Sequence, residues 1–150
     1  MRFRPTIIVP AAGRGSRFGG PQHKLQQPLD GSTVLACTVS RAIQSQLPVV
    51  VVTTEALAPL VSGLLARRDI VVLSDAEAAR GMGATIATGV SERSGAPGWL
   101  VLPGDMPRVR PDTLLAVAGA LEEHPVAYAQ HRGRRGHPVG FAAELYSELI

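Results

Sequence analysis

Apolar positions along this chain fall into short β-branched runs, separated by longer stretches in which they recur at helical spacing. Ile7-Ile8-Val9, Val49-Val50-Val51-Val52, Ile70-Val71-Val72-Leu73, Trp99-Leu100-Val101-Leu102 and Val126-Ala127-Tyr128-Ala129 read as strands. Unbroken Ile/Val runs suit strands buried on both faces, as in a parallel sheet. Between them, Val34, Leu35, Val39, Ala42 and Ile43 predict a helix over 33–46, capped from Asp30-Gly31-Ser32. Leu57, Leu60, Val61, Leu64 and Leu65 predict a second helix over 55–68, with Pro59 in its first turn. Further helices are expected over 84–92, over 111–123 (inner face Leu114, Leu115, Val117, Ala118, Leu121) and from Ala142 onward; Pro138 to Phe141 reads as a short extended piece. Strand and helix alternating at these lengths predict one α/β domain over residues 1–150: a doubly wound, mostly parallel sheet between two helical layers.

The connections carry the unusual chemistry. In such sheets ligands bind beyond the carboxyl ends of the strands, and the loops at 11–24, 79–83 and 103–107 all lie there. The first is rich in glycine and carries Arg14, Arg17 and Lys24. Without Cβ atoms its backbone can approach a ligand closely, and successive amides in a turn form an anion site. This is a phosphate cradle by composition. It is not a P-loop, because Pro21 and Gln22 follow Gly20 where Lys and Ser/Thr belong. The dinucleotide fingerprint also fails: Phe18 stands where its third glycine should be, and Gly19-Gly20-Pro21 and Pro28 oppose a helix starting in the loop.

In the loop after the fourth strand, Asp105 stands where a carboxylate can hold Mg²⁺ against phosphate oxygens; an Asp there can equally fill a turn. No His/Cys pair has metal-site spacing, and no nucleophile–base pair stands out. Nucleotidyl transfer to a phosphate monoester needs neither, since the attacking oxygen is already ionised and catalysis rests on positioning and charge neutralisation.

The run Pro10-Ala11-Ala12-Gly13-Arg14-Gly15-Ser16-Arg17-Phe18-Gly19, with Lys24-Leu25 beyond it, resembles the signature of the molybdenum-cofactor nucleotidyltransferases. Pro10 replaces a usual Leu, and two extra residues precede Lys24. The resemblance extends to Gly104-Asp105-Met106-Pro107, the family's metal-binding segment; to Gly81-Met82-Gly83-Ala84-Thr85-Ile86, its base-lining segment; and to 132–141, its acceptor segment. It implies a Rossmann-like nucleotide-diphospho-sugar transferase fold. It assigns Arg17, Lys24 and Asp105 to catalysis, with Mg²⁺ on Asp105, and Ala11, Ala12, Gly13, Arg14, Gly15, Ser16, Gly81, Thr85 and Gly104 to the nucleotide. Arg135, His137 and Pro138 fall to the acceptor. A plain helical first turn accounts for Thr85 equally well, as does a basic surface hairpin for His137.

Ala-Ala-Gly with G-D-x-P goes in that family with cytidylyl transfer, so the resemblance implies CTP, a molybdopterin acceptor and handover to a molybdoenzyme or its chaperone. GTP or a sugar phosphate is the alternative within the class. An NAD(P)-binding oxidoreductase with Glu55 reading a ribose, and a non-catalytic nucleotide-binding module, are the alternatives outside it. The family's further strand and aspartate lie beyond this length, so the chain is expected to lack its C-terminal segment.

Composition narrows the partners. The 45% hydrophobic fraction indicates a packed chain, and 4% aromatics oppose nucleic-acid binding by base stacking. The +3 net charge comes from dispersed residues, the densest being Arg132 to His137, which suits local anions more than a polyanion. Cys37 is the one cysteine and falls in a helical pattern as a small core filler, so a reducing, cytoplasmic setting is expected. The first apolar run is too short for a signal peptide or a membrane span.

Overall fold

The computed structural model describes residues 3–13 and 24–150. The chain runs β1 (Thr6–Ala11), a small hairpin of β2 (Pro28–Leu29) and β3 (Ser32–Thr33), α1 (Val34–Gln44), β4 (Val49–Thr54), β5 (Ile70–Leu73), α2 (Asp75–Ala78), α3 (Met82–Glu92), β6 (Gly98–Val101), α4 (Pro111–Ala120), β7 (Val126–His131), β8 (Arg134–Ala142) and α5 (Tyr146–Leu149). All strands but the small hairpin form one six-stranded sheet, ordered β5-β4-β1-β6-β8-β7. β1 pairs in parallel with β4 and β6, and β4 in parallel with β5.

The period-2 geometry of a strand sends alternate side chains to opposite faces, and here both faces are apolar. Ile7, Val9 and Ala11 of β1, Val49 and Val51 of β4, and Leu100 beside them enter one core with Leu35, Val39 of α1 and Leu114, Val117 of α4. Ile8, Val50, Val52 and Trp99 enter the other with Val90 of α3. The expected three-layer α/β/α sandwich is therefore present; the runs of β1, β4 and β6 are its inner strands, while Ile70–Leu73 forms the edge strand β5 with Val72 exposed. Trp99 is fully buried, its Nε1 donating to the Arg93 carbonyl at 3.0 Å and its ring lying 5.8 Å from that of Tyr146.

Three expectations are corrected. The helix over 55–68 is replaced by 3₁₀ turns at Ala58–Leu60 and Arg67–Asp69. Pro59 lacks an N–H, Gly63 disfavours helix, and the Ser62 hydroxyl donates to the Pro59 carbonyl at 3.2 Å, so the backbone has a local alternative to propagation. Burial of Leu57 and Val61 holds these turns down without a regular helix. The cap of α1 is Thr33, whose hydroxyl accepts from Ala36 N at 3.2 Å. Asp30 and Gly31 instead form the left-handed pair (φ 51° and 77°) of the β2–β3 turn, as Asp-Gly does in tight hairpins.

The extended piece at Pro138 is part of a nine-residue strand, β8, antiparallel to both β6 and β7. Arg132 and Gly133 (φ 52° and 78°) supply the matching two-residue turn that returns the chain. The sheet is thus parallel on one side of β6 and antiparallel on the other.

α3 lies close enough to the sheet that a Cβ on Gly89 would stand 2.6 Å from Ile8 Cγ2 and 3.1 Å from Val52 Cγ2. Both partners are fully buried and cannot withdraw. Gly119 of α4 has nothing within 4 Å of the same position. Gly89→Ala is therefore expected to destabilise by roughly 1–3 kcal/mol through overpacking, whereas Gly119→Ala should stabilise by up to about 1 kcal/mol through helix propensity; urea unfolding of both variants checks the opposite signs.

Candidate functional site

The strand order reverses at β1: the chain steps outward to β4 and β5, then returns to β6 on β1's other side. Such a switch point leaves a crevice beyond the carboxyl ends of the two central strands. The chain leaves both β1 and β6 on that edge.

These loop roots are held together by main-chain contacts. Leu102 N donates to Ile8 O at 2.9 Å and Gly104 N to Pro10 O at 3.1 Å, so the strand pairing continues past the end of β6. Buried threonines brace both roots: Thr53 Oγ1 donates to Ala11 O at 2.8 Å, and Thr38 Oγ1 to Gly104 O at 2.7 Å. Glycine fits closely at 104. A Cβ there would lie 2.9 Å from Leu35 Cδ1 and 3.1 Å from Ala11 Cβ.

One residue on, the Asp105 carboxylate projects into solvent and meets Lys24, with Nζ 3.3 Å from Oδ2. Their side chains are 42% and 55% exposed respectively. An ion pair this exposed adds about 0–1 kcal/mol to stability. What it establishes is juxtaposition: residues 81 positions apart present a cation and a carboxylate side by side at the solvent-exposed strand ends.

The donor set fits a hard divalent cation shared with a ligand. Among the described residues no three His, Cys, Asp or Glu side chains gather into a cage. Asp105 alone would leave most positions to oxygens from the ligand and water, which is how Mg²⁺ is held in phosphoryl-transfer sites. The Lys24 ammonium already lies beside the oxygen such a cation would use.

Ala11 and Ala12 are buried at the crevice floor, and Gly13 is exposed above it. Arg14, Gly15, Ser16 and Arg17 lie outside the described residues. Gly81, with φ 100°, caps α3, and its carbonyl accepts from Thr85 N and Thr85 Oγ1, both at 3.1 Å. Thr85 is 3% exposed, so its hydroxyl is directed to its own helix.

A cleft of about 300 Å³ runs between the start of α3 and β8, lined by Gly83, Ile86, Val101, His137, Val139 and Phe141, with Glu148 and Leu149 of α5 closing it. Val101 pairs with Val139 in the antiparallel register. His137, two residues earlier on β8, therefore falls past the carboxyl end of β6, on the same edge as Asp105. His137 is exposed and Pro138 buried, joined by a cis peptide bond. Arg135 instead lies over the Tyr128 ring, 4.9 Å from its centroid. Sequence reasoning missed Thr38, Thr53 and Glu148. A threonine on the apolar face of a helical pattern was the one available signal for Thr38.

The sequence matches the MobA-like NTP transferase domain over residues 7–150. It is 34% identical over 125 residues to the bifunctional protein GlmU of Gloeobacter violaceus, a match covering 83% of this chain and 26% of that protein. The chain thus spans about a quarter of that relative's length. Rv0371c of Mycobacterium tuberculosis H37Rv superposes with a TM-score of 0.80 at 25% identity, covering 99% of this chain and 76% of that one. Its manganese complex matches at 0.77. A nucleotidyl transferase of Methanothermobacter, Mth528, matches at 0.75 with 27% identity, covering 97% of this chain and 74% of that one. Among the described residues no helix is long and apolar enough to cross a membrane.

Because the Lys24–Asp105 pair is solvated, Lys24→Ala and Asp105→Asn are each expected to change unfolding free energy by less than about 1 kcal/mol. Thermal and urea unfolding of the two variants check this, and a larger loss would mean that the pair holds the loops together.

Proposed function

We propose that this chain, which belongs to the MobA-like NTP transferase domain family, transfers a nucleoside monophosphate from an NTP to a phosphorylated acceptor and releases pyrophosphate. The observation that carries this reading is the convergence of Lys24 and Asp105, 3.3 Å apart, at the switch-point crevice. A nucleotide triphosphate brings several negative charges that must be neutralised as pyrophosphate leaves, and electrostatic stabilisation of that kind is the main catalytic term where no base is needed.

In this reading Asp105 would hold a divalent cation, proposed as Mg²⁺. The manganese-bound form of the similar Rv0371c supports divalent-metal use. Such a cation would supply Lewis-acid neutralisation of the transferring phosphoryl group. Lys24, 3.3 Å from Asp105, would turn its ammonium to the triphosphate, with Arg17 and Arg14 proposed beside it. The backbone from Ala11 through Ser16 supplies N–H donors, and the buried Ala11 and Ala12 let the nucleotide lie close to the sheet edge. Gly104 holds Asp105 against β1, and Gly81 and Thr85 are assigned to the base side of the site.

CTP is the favoured nucleotide and molybdopterin the favoured acceptor, on the pairing of Ala11-Ala12-Gly13 with Gly104-Asp105-Met106-Pro107. The cleft beside His137 supports an acceptor with a flat, mostly apolar body: its walls are Ile86, Val139 and Phe141, with His137 at the mouth. Arg135 and Pro138 are assigned with His137 to that acceptor, and delivery to a molybdoenzyme or its chaperone would follow.

Pyrophosphate release with Mg²⁺, molybdopterin and either CTP or GTP tests the proposal. Turnover favouring CTP is expected, and Asp105→Asn should reduce it by about a hundredfold or more, the scale of losing one electrostatic contact to the transition state. Release of pyrophosphate with GTP alone would reassign the base. Full activity in Asp105→Asn would remove the metal role.

A further inference from the structure

We propose that Thr38, in the middle of α1, is a positioning residue for the Asp105 carboxylate; this rests on the nucleotidyltransferase reading above. Thr38 is fully buried, and its Oγ1 lies 2.7 Å from Gly104 O and 3.1 Å from Val34 O. The contact to Val34 is the back-bond that any helical threonine makes to the carbonyl four residues earlier. The contact to Gly104 is not local: it joins α1 to a loop 66 residues further along and is the shorter of the two. One hydroxyl proton faces two acceptors, and the distance favours Gly104.

The consequence follows from peptide planarity. The Gly104 carbonyl and the Asp105 N–H belong to one rigid unit, so fixing the carbonyl fixes the plane from which Asp105 departs. The preceding peptide is held too, since Gly104 N donates to Pro10 O at 3.1 Å. Gly104 is therefore gripped at both ends, by β1 through its N–H and by Thr38 through its C=O. The Cβ-free face between them is filled by Leu35 and Ala11. Among the described residues the Asp105 side chain has Lys24 as its ion-pair partner and is 42% exposed. Its aim is set by the backbone behind it, and the Thr38 hydroxyl is the buried polar group that sets that backbone.

Thr38→Val keeps the shape and removes the hydroxyl, Thr38→Ser keeps the hydroxyl, and Val39→Ala serves as a control that loosens the same helix without touching Gly104. Amide hydrogen exchange across residues 104–106 is expected to accelerate in Thr38→Val, but not in Thr38→Ser or in a Val39→Ala protein of matched stability. Titration of each protein with Mn²⁺ plus CTP is expected to show about tenfold weaker binding in Thr38→Val alone, the scale of leaving a buried carbonyl without its partner. Pyrophosphate release should fall in parallel. Should Thr38→Val fail to fold, Thr38→Ala carries the same comparison at lowered temperature. Unchanged exchange at 104–106 would overturn the bracing role whatever the nucleotide does. Faster exchange with unaltered Mn²⁺–CTP affinity would overturn its bearing on Asp105. If the unsubstituted protein binds no Mn²⁺–CTP, the functional reading fails, and the positioning role fails with it, even where the exchange result stands.

Discussion

The close seating of Gly104 against the end of β1 is the constraint on which the site depends. β6 formally ends at Val101, yet main-chain bonding to β1 continues through Leu102 and Gly104. That continuation is eased by the absence of a side chain at 104, where a Cβ would crowd Leu35 and Ala11. It carries the chain over the crevice floor before releasing it at Asp105. A wider loop would leave the carboxylate free to swing away from Lys24. The grip costs little in stability, because the atoms it uses, the Pro10 carbonyl and the Thr38 hydroxyl, would otherwise be buried polar groups needing partners.

Around this point the molecule divides its labour between buried and solvated polar groups. Thr38 and Thr53 are buried, satisfied and directed at backbone carbonyls. Lys24 and Asp105 are solvated and directed at each other. The first pair shapes the loops. The second contributes little to folding, so both charges can change partners at little cost to stability. A buried ion pair in the same place would resist that exchange, since desolvated charges cannot be separated cheaply.

The antiparallel β7–β8 hairpin extends the site sideways. Reversing direction at Arg132-Gly133 lets β8 pair with β6 while sending His137 beyond β6's carboxyl end, where a parallel strand would have placed a loop of variable length. With α3 on the other side, this makes a cleft whose walls are regular secondary structure. Its lining is mostly apolar, with the His137 ring and Glu148 as its charged or polar side chains.

Much of the architecture was legible in one dimension, for identifiable reasons. β1, β4 and β6 were visible because strands buried on both faces need unbroken apolar runs; β5 shows the same run although it is an edge strand. α1, α3 and α4 were visible because one face of each must match the sheet. The glycine-rich loop and Gly104-Asp105 stood out because close backbone approach and exposed charge leave marks in composition. The stretch over 55–68 misled because an apolar spacing of three and four suits buried 3₁₀ turns as well as a helix, and Pro59 and Gly63 then decide between them. The sequence by itself determined the layers, the strand-end loops and the residue types offered for phosphate and metal, since these follow from local periodicity and chemistry. Only the tertiary structure decided that Lys24 meets Asp105, that Thr38 braces Gly104 and that β8 runs antiparallel. Each depends on which strands become neighbours, and that is a property of the packed sheet rather than of any segment.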